Sequence, residues 1–306
     1  MVLPSFNFFF KIISGEAAAN LRSRIDMVGK ESTKEGFLVT KRHQKIVYSS
    51  FIPAKTTMQL VVVHGFSEHM RCYYDVAEAL KAKGVAVHLF DLPGHGLSEG
   101  PRGHIAKFQQ YADAVDLLLT NSPHFLKTKP TFLFGHSLGG LVATQYCLQK
   151  NPKVSGLILS SPLMGFPIIR SLPVFLLTKY LIKKQPAYQI PKPRNVKVLC
   201  RNPAKWEEYA SDPFRLQTIT PSLYQAMVTA TRRLQRQIQN LTHPLLVFFS
   251  AKDQVVSPVA IQRAFATAGS RDKTLIALTE AMHELLQEEE RPLILDNMLS
   301  WMKERI

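Results

Sequence analysis

Six short runs of β-branched and aromatic residues, at 60–63, 85–90, 131–134, 156–160, 245–249 and 274–278, constrain this chain most strongly. Most are too short and too apolar to be surface helices. Between them lie segments of helical character at 74–83, 108–120, 138–150 and 258–268, so strand and helix alternate. That alternation predicts an α/β protein with a parallel sheet covered on both faces. An earlier stretch, 36–52, reads as a hairpin of polar alternation around residues 41–44 and is expected to supply an antiparallel edge. The alternation fails over 163–242, where prolines, lysines and apolar helical patches take over, and resumes at Pro244. The expected organisation is therefore an N-terminal segment 1–35, a core built from 36–162 and 243–306, and a helical lid 163–242 inserted between two core strands.

A chain of 306 residues with 46% hydrophobic and 20% charged content can bury one large core, which excludes disordered and fibrous classes. Cys72, Cys147 and Cys200 are odd in number, far apart and form no CxxC pair. Neither a disulfide framework nor a zinc site is expected, and a reducing, cytoplasmic compartment follows most simply. The longest apolar stretch, 165–182, is broken by Pro167 and Pro173 and carries Arg170 and Lys179, which argues against a membrane span. Phe6, Phe8, Phe9 and Phe10 follow a start without the basic residues of a secretory signal. They suit either packing on the domain or a short interfacial anchor that makes the protein peripheral to a membrane.

The formal charge is +15, and residues 163–242 hold thirteen Lys and Arg against Glu207, Glu208 and Asp212. Such a bias fits either a solvated face or attraction to anionic lipid surfaces and phosphate-bearing substrates. Nucleic acid is not expected as a partner, because no recognised binding motif accompanies the charge.

In an open α/β sheet, ligands bind beyond the carboxyl ends of the strands, so the residues after each run carry the chemistry. After the third run stands Gly135-His-Ser-Leu-Gly139, which fits the GxSxG elbow: a sharp strand-to-helix turn that lifts Ser137 above the sheet. The bare pattern is weak, but its position between an apolar run and the apolar helical pattern opening at Leu138 makes it strong. A serine hydroxyl needs a base to take its proton and a carboxylate to orient that base. Asp253 closes the run 245–249 and His283 closes 274–278, in the order Ser, Asp, His expected of the α/β-hydrolase fold. Asp212 and Asp272 are the rival acids, the first inside the lid and the second before its strand, at the wrong end of the sheet. Backbone N–H groups of Leu138 and of Phe66, in the loop after the first core strand, are the expected oxyanion donors. No metal and no organic cofactor is required by this chemistry.

These residues resemble the monoacylglycerol lipase and lysophospholipase group of serine hydrolases, from about Gly36 to the carboxyl terminus. His64-Gly-Phe-Ser-Glu-His69 resembles that group's oxyanion loop, Asp91-Leu-Pro-Gly-His-Gly-Leu-Ser-Glu-Gly100 the loop after its next core strand, and His283-Glu-Leu-Leu its catalytic histidine segment. Ser211-Asp-Pro213 in the lid shares the likeness. The resemblance implies hydrolysis of acylglycerols or lysophospholipids, with Glu68 as a polar contact near the glycerol. It has one departure. The group carries an arginine immediately before the first tyrosine after this loop, where this chain has Cys72, with Arg71 one place earlier.

The leading expectation is a carboxylic ester hydrolase acting on single-chain lipids through an acyl-serine. A thioesterase, an acyltransferase or an aminopeptidase would use the same three residues. A non-catalytic binding module on this fold is the remaining reading, disfavoured because all three residues are present.

Overall fold

The computed structural model describes residues 33–166, 179–192 and 195–306. The phenylalanines near the amino terminus and most of the apolar run 165–182 lie outside the described residues. Residues 34–306 form one unit.

Its frame is an eight-stranded sheet in the order β1-β2-β4-β3-β5-β6-β9-β10. In chain order these strands are β1 (Thr33–Val39), β2 (Lys45–Phe51), β3 (Met58–Val63), β4 (Val85–Phe90), β5 (Thr131–His136), β6 (Gly156–Ser160), β9 (Leu245–Ser250) and β10 (Lys273–Leu278). The pairs β3–β4, β3–β5, β5–β6, β6–β9 and β9–β10 are parallel, and β2 runs antiparallel to β4. The polar hairpin therefore forms the edge expected of it, turned at His43, which sits at φ 58°.

The interior strands are buried along their whole length because both faces are covered. Side chains alternate between the faces. Val61, Val63, Leu133, Leu157, Leu159 and Val247 join a core shared with helices α2 (Gln109–Asn121), α3 (Leu138–Lys150), α5 (Pro221–Gln237) and α6 (Pro258–Thr267). Their neighbours Leu60, Val62, Phe132 and Phe134 are equally buried, on the opposite face. There Phe132 meets Trp301 of α7 (Arg291–Lys303) edge to face at 5.9 Å, and Phe134 meets Tyr73, just before α1 (Tyr74–Lys81), at 6.1 Å.

Between β6 and β9 the chain leaves the sheet. This insertion holds α4 (Pro203–Ser211), α5, and a two-stranded antiparallel ribbon of β7 (Ile190–Pro191) and β8 (Thr218–Ile219), which the reading of a helical lid did not foresee. Two residues per strand are too few for any periodicity to register. Prolines at the first turns of α4 and α5, with Asn202 and Thr220 accepting from Ala204 and Leu223 N–H, fix where both helices begin.

The order of strands reverses at β3: the chain passes from β3 to β4 on one side and returns to β5 on the other. The crevice at the carboxyl ends of β3 and β5 is thus the switch point of the sheet, where such folds bind ligands.

Candidate active site

Ser137 stands at the end of β5 with φ 51° and ψ −115°, a conformation sparsely populated by residues other than glycine. The turn is possible because its flanks have no side chains. A Cβ on Gly135 would lie 2.5 Å from the Gly139 carbonyl oxygen, and one on Gly139 would lie 2.0 Å from that of Val63. The strained serine is held from three directions. Its N–H donates to Ser160 O at 3.0 Å, and its carbonyl accepts from Leu163 at 2.9 Å and Leu141 at 3.2 Å.

The loops after β9 and β10 bring Asp253 and His283 to it. His283 Nε2 lies 3.0 Å from Ser137 Oγ, and His283 Nδ1 lies 2.7 Å from Asp253 Oδ2. Asp253 is itself oriented by the N–H groups of Val255 and Val256, which donate to Oδ1 at 2.8 and 3.0 Å. Burial disfavours charge on both members, but each outweighs that cost for the other, so Asp253 lies below the usual carboxylate range and His283 above the usual imidazole value. The ionised carboxylate accepts Nδ1–H, leaving Nε2 as the acceptor for the serine proton. The three residues singled out from the sequence are therefore one hydrogen-bonded chain. The rival acids are engaged elsewhere: Asp212 with His69 at 2.8 Å, and Asp272 with Arg305 at 2.6 Å.

The β3 loop runs beside the serine, since a Cβ on Gly65 would lie 3.3 Å from Ser137 Cβ. Leu138 opens α3, so its N–H is one of the four at a helix start that lack an intrahelical acceptor. Phe66 follows Gly65 in a turn closed by Glu68 N–H on Gly65 O at 3.3 Å.

Glu68 is buried, and its Oε2 accepts from Gly65 N–H at 2.6 Å and Tyr73 O–H at 2.8 Å, while Oε1 faces His136 Nε2 at 3.9 Å. His64 Nδ1 lies 2.8 Å from Gly65 O, and its Nε2 accepts from Leu92 N–H at 3.0 Å. Burial pushes its pKa down to about 3, so it is a neutral brace between two loops. Asp91 does similar work. Its two carboxylate oxygens accept from Met70 and Leu97 N–H, each at 2.7 Å, tying the loop after β4 to the loop after β3.

Three contacts from the insertion were not legible in the sequence. Arg215 straddles Glu284, the residue after His283, with Nη1 on Oε1 at 3.1 Å and Nη2 on Oε2 at 3.3 Å, and Tyr209 O–H donates to the same carboxylate. Burial opposes charge on Glu284, but the Arg215 guanidinium prevails and holds it down to about 2. Nη2 also lies 3.7 Å from Cys72 Sγ, the position where the resembling group carries an arginine. The second contact is His69 on Asp212; against the cost of burial, Cys72 and Asp212 together push His69 up to about 10. The third is Lys192 Nζ, which donates to Ser67 Oγ at 2.5 Å. Only the Ser-Asp-Pro likeness hinted at any of these, because the partners of each pair are more than sixty residues apart.

A buried Ser-His-Asp chain at the switch point of such a sheet defines a serine hydrolase of the α/β-hydrolase class. The family described as serine aminopeptidase, S33, matches residues 54–290, and the chain belongs to it. Phospholipase YtpA of Bacillus subtilis is 30% identical over 234 residues, covering 76% of this chain and 90% of that one. The monoacylglycerol lipase of Mycolicibacterium smegmatis is 28% identical over 260 residues, covering 84% and 92%. Among solved structures, the monoacylglycerol lipase of Paleococcus ferrophilus superposes with a TM-score of 0.77 at 26% identity, over 85% of this chain and 99% of its own.

Proposed function

We propose that this protein hydrolyses the carboxylic esters of single-chain lipids, monoacylglycerols or lysophospholipids, through an acyl-serine intermediate. The carrying observation is the chain Ser137 Oγ, His283 Nε2, His283 Nδ1, Asp253 Oδ2, with contacts of 3.0 and 2.7 Å, buried at the mouth of the switch point. His283 takes the Ser137 proton as Oγ attacks the ester carbonyl; Asp253 stabilises the imidazolium that forms. The N–H groups of Phe66 and Leu138 receive the oxyanion. His283 then returns the proton to the leaving alcohol, and water, deprotonated by the same imidazole, releases the fatty acid. Glu68 shapes the donor loop through Oε2, and its Oε1 is the atom that remains to meet a glycerol hydroxyl.

The names of the relatives support an ester of a lipid as the substrate. The peptidase reading is less well served. An aminopeptidase must hold a substrate ammonium with free carboxylate, and around Ser137 both oxygens of Glu284 and one of Glu68 are already taken.

Among the described residues no helix is long and apolar enough to cross a membrane. Free Cys72, Cys147 and Cys200 suit a reducing cytoplasmic compartment, and the basic insertion suits transient contact with an anionic lipid surface.

The test is a panel of monoacylglycerols, lysophospholipids, thioesters and aminoacyl amides of matched chain, run on the wild type and Ser137→Ala. Ester turnover that vanishes in the variant supports the reading. Turnover of the amides or thioesters alone overturns it.

A further inference from the structure

Lys192 lies just beyond β7, and its backbone N–H donates to Gln217 O at 3.0 Å, which fixes the residue on the ribbon of the insertion. From there the side chain reaches across to the core. Its ammonium donates to Ser67 Oγ at 2.5 Å and sits 5.5 Å above the ring of Phe66, the residue expected from the sequence to supply an oxyanion N–H. Ser67 is built to receive it. Its φ is 71°, its hydroxyl donates to Leu216 O at 3.0 Å, and its carbonyl accepts from Leu216 N–H at 3.3 Å. With its one proton committed, Ser67 Oγ meets Lys192 as an acceptor.

A partly buried ammonium is ordinarily neutralised by a carboxylate. Here the two carboxylates that act on Lys192 are already engaged, Glu284 by Arg215 and Tyr209, and Glu68 by Gly65 N–H and Tyr73. Arg215 adds repulsion. Burial first, and Arg215 second, push the Lys192 pKa down to about 8. An ammonium has three N–H donors, and Ser67 takes one. An anion arriving beside Phe66 would find donors without having to break an ion pair. The apolar acyl chain gains nothing from a cation, so the alcohol side of the scissile ester, where a head group starts, belongs there.

We propose that Lys192 binds the phosphate of the substrate's head group, so that the enzyme selects single-chain esters carrying a phosphodiester over neutral acylglycerols. This rests on the ester-hydrolase reading of the same site, and makes Lys192 a specificity residue.

The experiment compares kcat and KM for octanoyl lysophosphatidylglycerol and octanoylglycerol, both below their critical micelle concentrations, so that surface charge plays no part. The proteins are wild type, Lys192→Met, Lys192→Arg and, as a control on the charge of the insertion, Lys184→Met. In Lys192→Met the ratio of kcat/KM, phosphodiester over neutral, should fall about tenfold or more, mainly through KM. Lys192→Arg should restore most of it, and Lys184→Met should leave it as in the wild type. The wild-type ratio should also decline from pH 7 to pH 9, as Lys192 loses its proton; the phosphodiester keeps its charge throughout. An equal loss of kcat on both substrates would make Lys192 an aid to the oxyanion or to folding and overturn the proposal, as would an unchanged ratio. Absence of turnover on both substrates by the wild type would instead overturn the ester-hydrolase reading itself.

Discussion

The loops at the ends of the core strands and the seam between core and insertion are both rich in titratable groups, yet they handle charge in opposite ways. In the loops and the strands behind them, burial holds His64 and His95 down to about 3 and His88 to about 4, so these imidazoles serve as neutral braces. At the seam, Arg215, Glu284, His69 and Asp212 stay charged because each has a partner from the other side. Ser137 is thus placed by backbone geometry, by neutral imidazole braces and by carboxylates that accept backbone N–H groups, while the insertion is fastened to the core by ion pairs. At the seam, charge gives a directional fastening between the core and the insertion.

The sharpest way to break this contrast is at the site. Asp253→Asn keeps the shape but removes the charge that orients His283, and kcat on an ester should fall by about 10⁴. Steady-state kinetics beside a folded-state circular dichroism spectrum checks this. The acid limb of wild-type kcat/KM should lie above pH 6.5, because the net effect on His283 is upward and only its neutral form accepts the serine proton. Asp253→Asn should move that limb downward.

At the seam the losses should appear as stability. Arg215→Met leaves Glu284 buried without its cation, and urea denaturation should show a loss of about 3–5 kcal/mol. Asp212→Asn removes the partner of His69 and should cost about 2 kcal/mol near pH 6. His69 has a raised folded pKa, so its contribution is fully present below its unfolded pKa and is lost as pH rises through about 10. Asp212 is lowered, so its share is present above its unfolded pKa and is lost as pH falls through the folded one. The difference between wild type and variant should therefore be widest between these limits. The smallest effect belongs to the half-exposed Arg291–Asp75 pair at 2.7 Å, where Asp75→Asn should cost less than about 1 kcal/mol.

Much of the core was legible because parallel strands covered on both faces are written as uninterrupted apolar runs. The runs at 85–90 and 156–160 coincide with β4 and β6, and the elbow helix with α3. The extension of β5 through Gly135 and His136 escaped notice, since neither residue favours a strand; their pairing with Leu159 and Ser160 of β6 decides it. Ser137, Asp253 and His283 could be read because each follows a recognisable strand and their order narrows the choice. Glu68 was visible as a loop acid, but its burial against Gly65 N–H and Tyr73 was not.

By itself, then, the sequence determined the sheet, the elbow and the serine, aspartate and histidine, because local propensity and the glycines' freedom from side-chain clash act over a few residues. Only the tertiary structure decided what surrounds them: Arg215 on Glu284, Asp212 on His69 and Lys192 on Ser67. Those contacts join residues 69, 143 and 125 positions apart, and no local rule pairs charges over such distances. They form because desolvation on folding makes each buried charge or donor take the nearest group that can satisfy it.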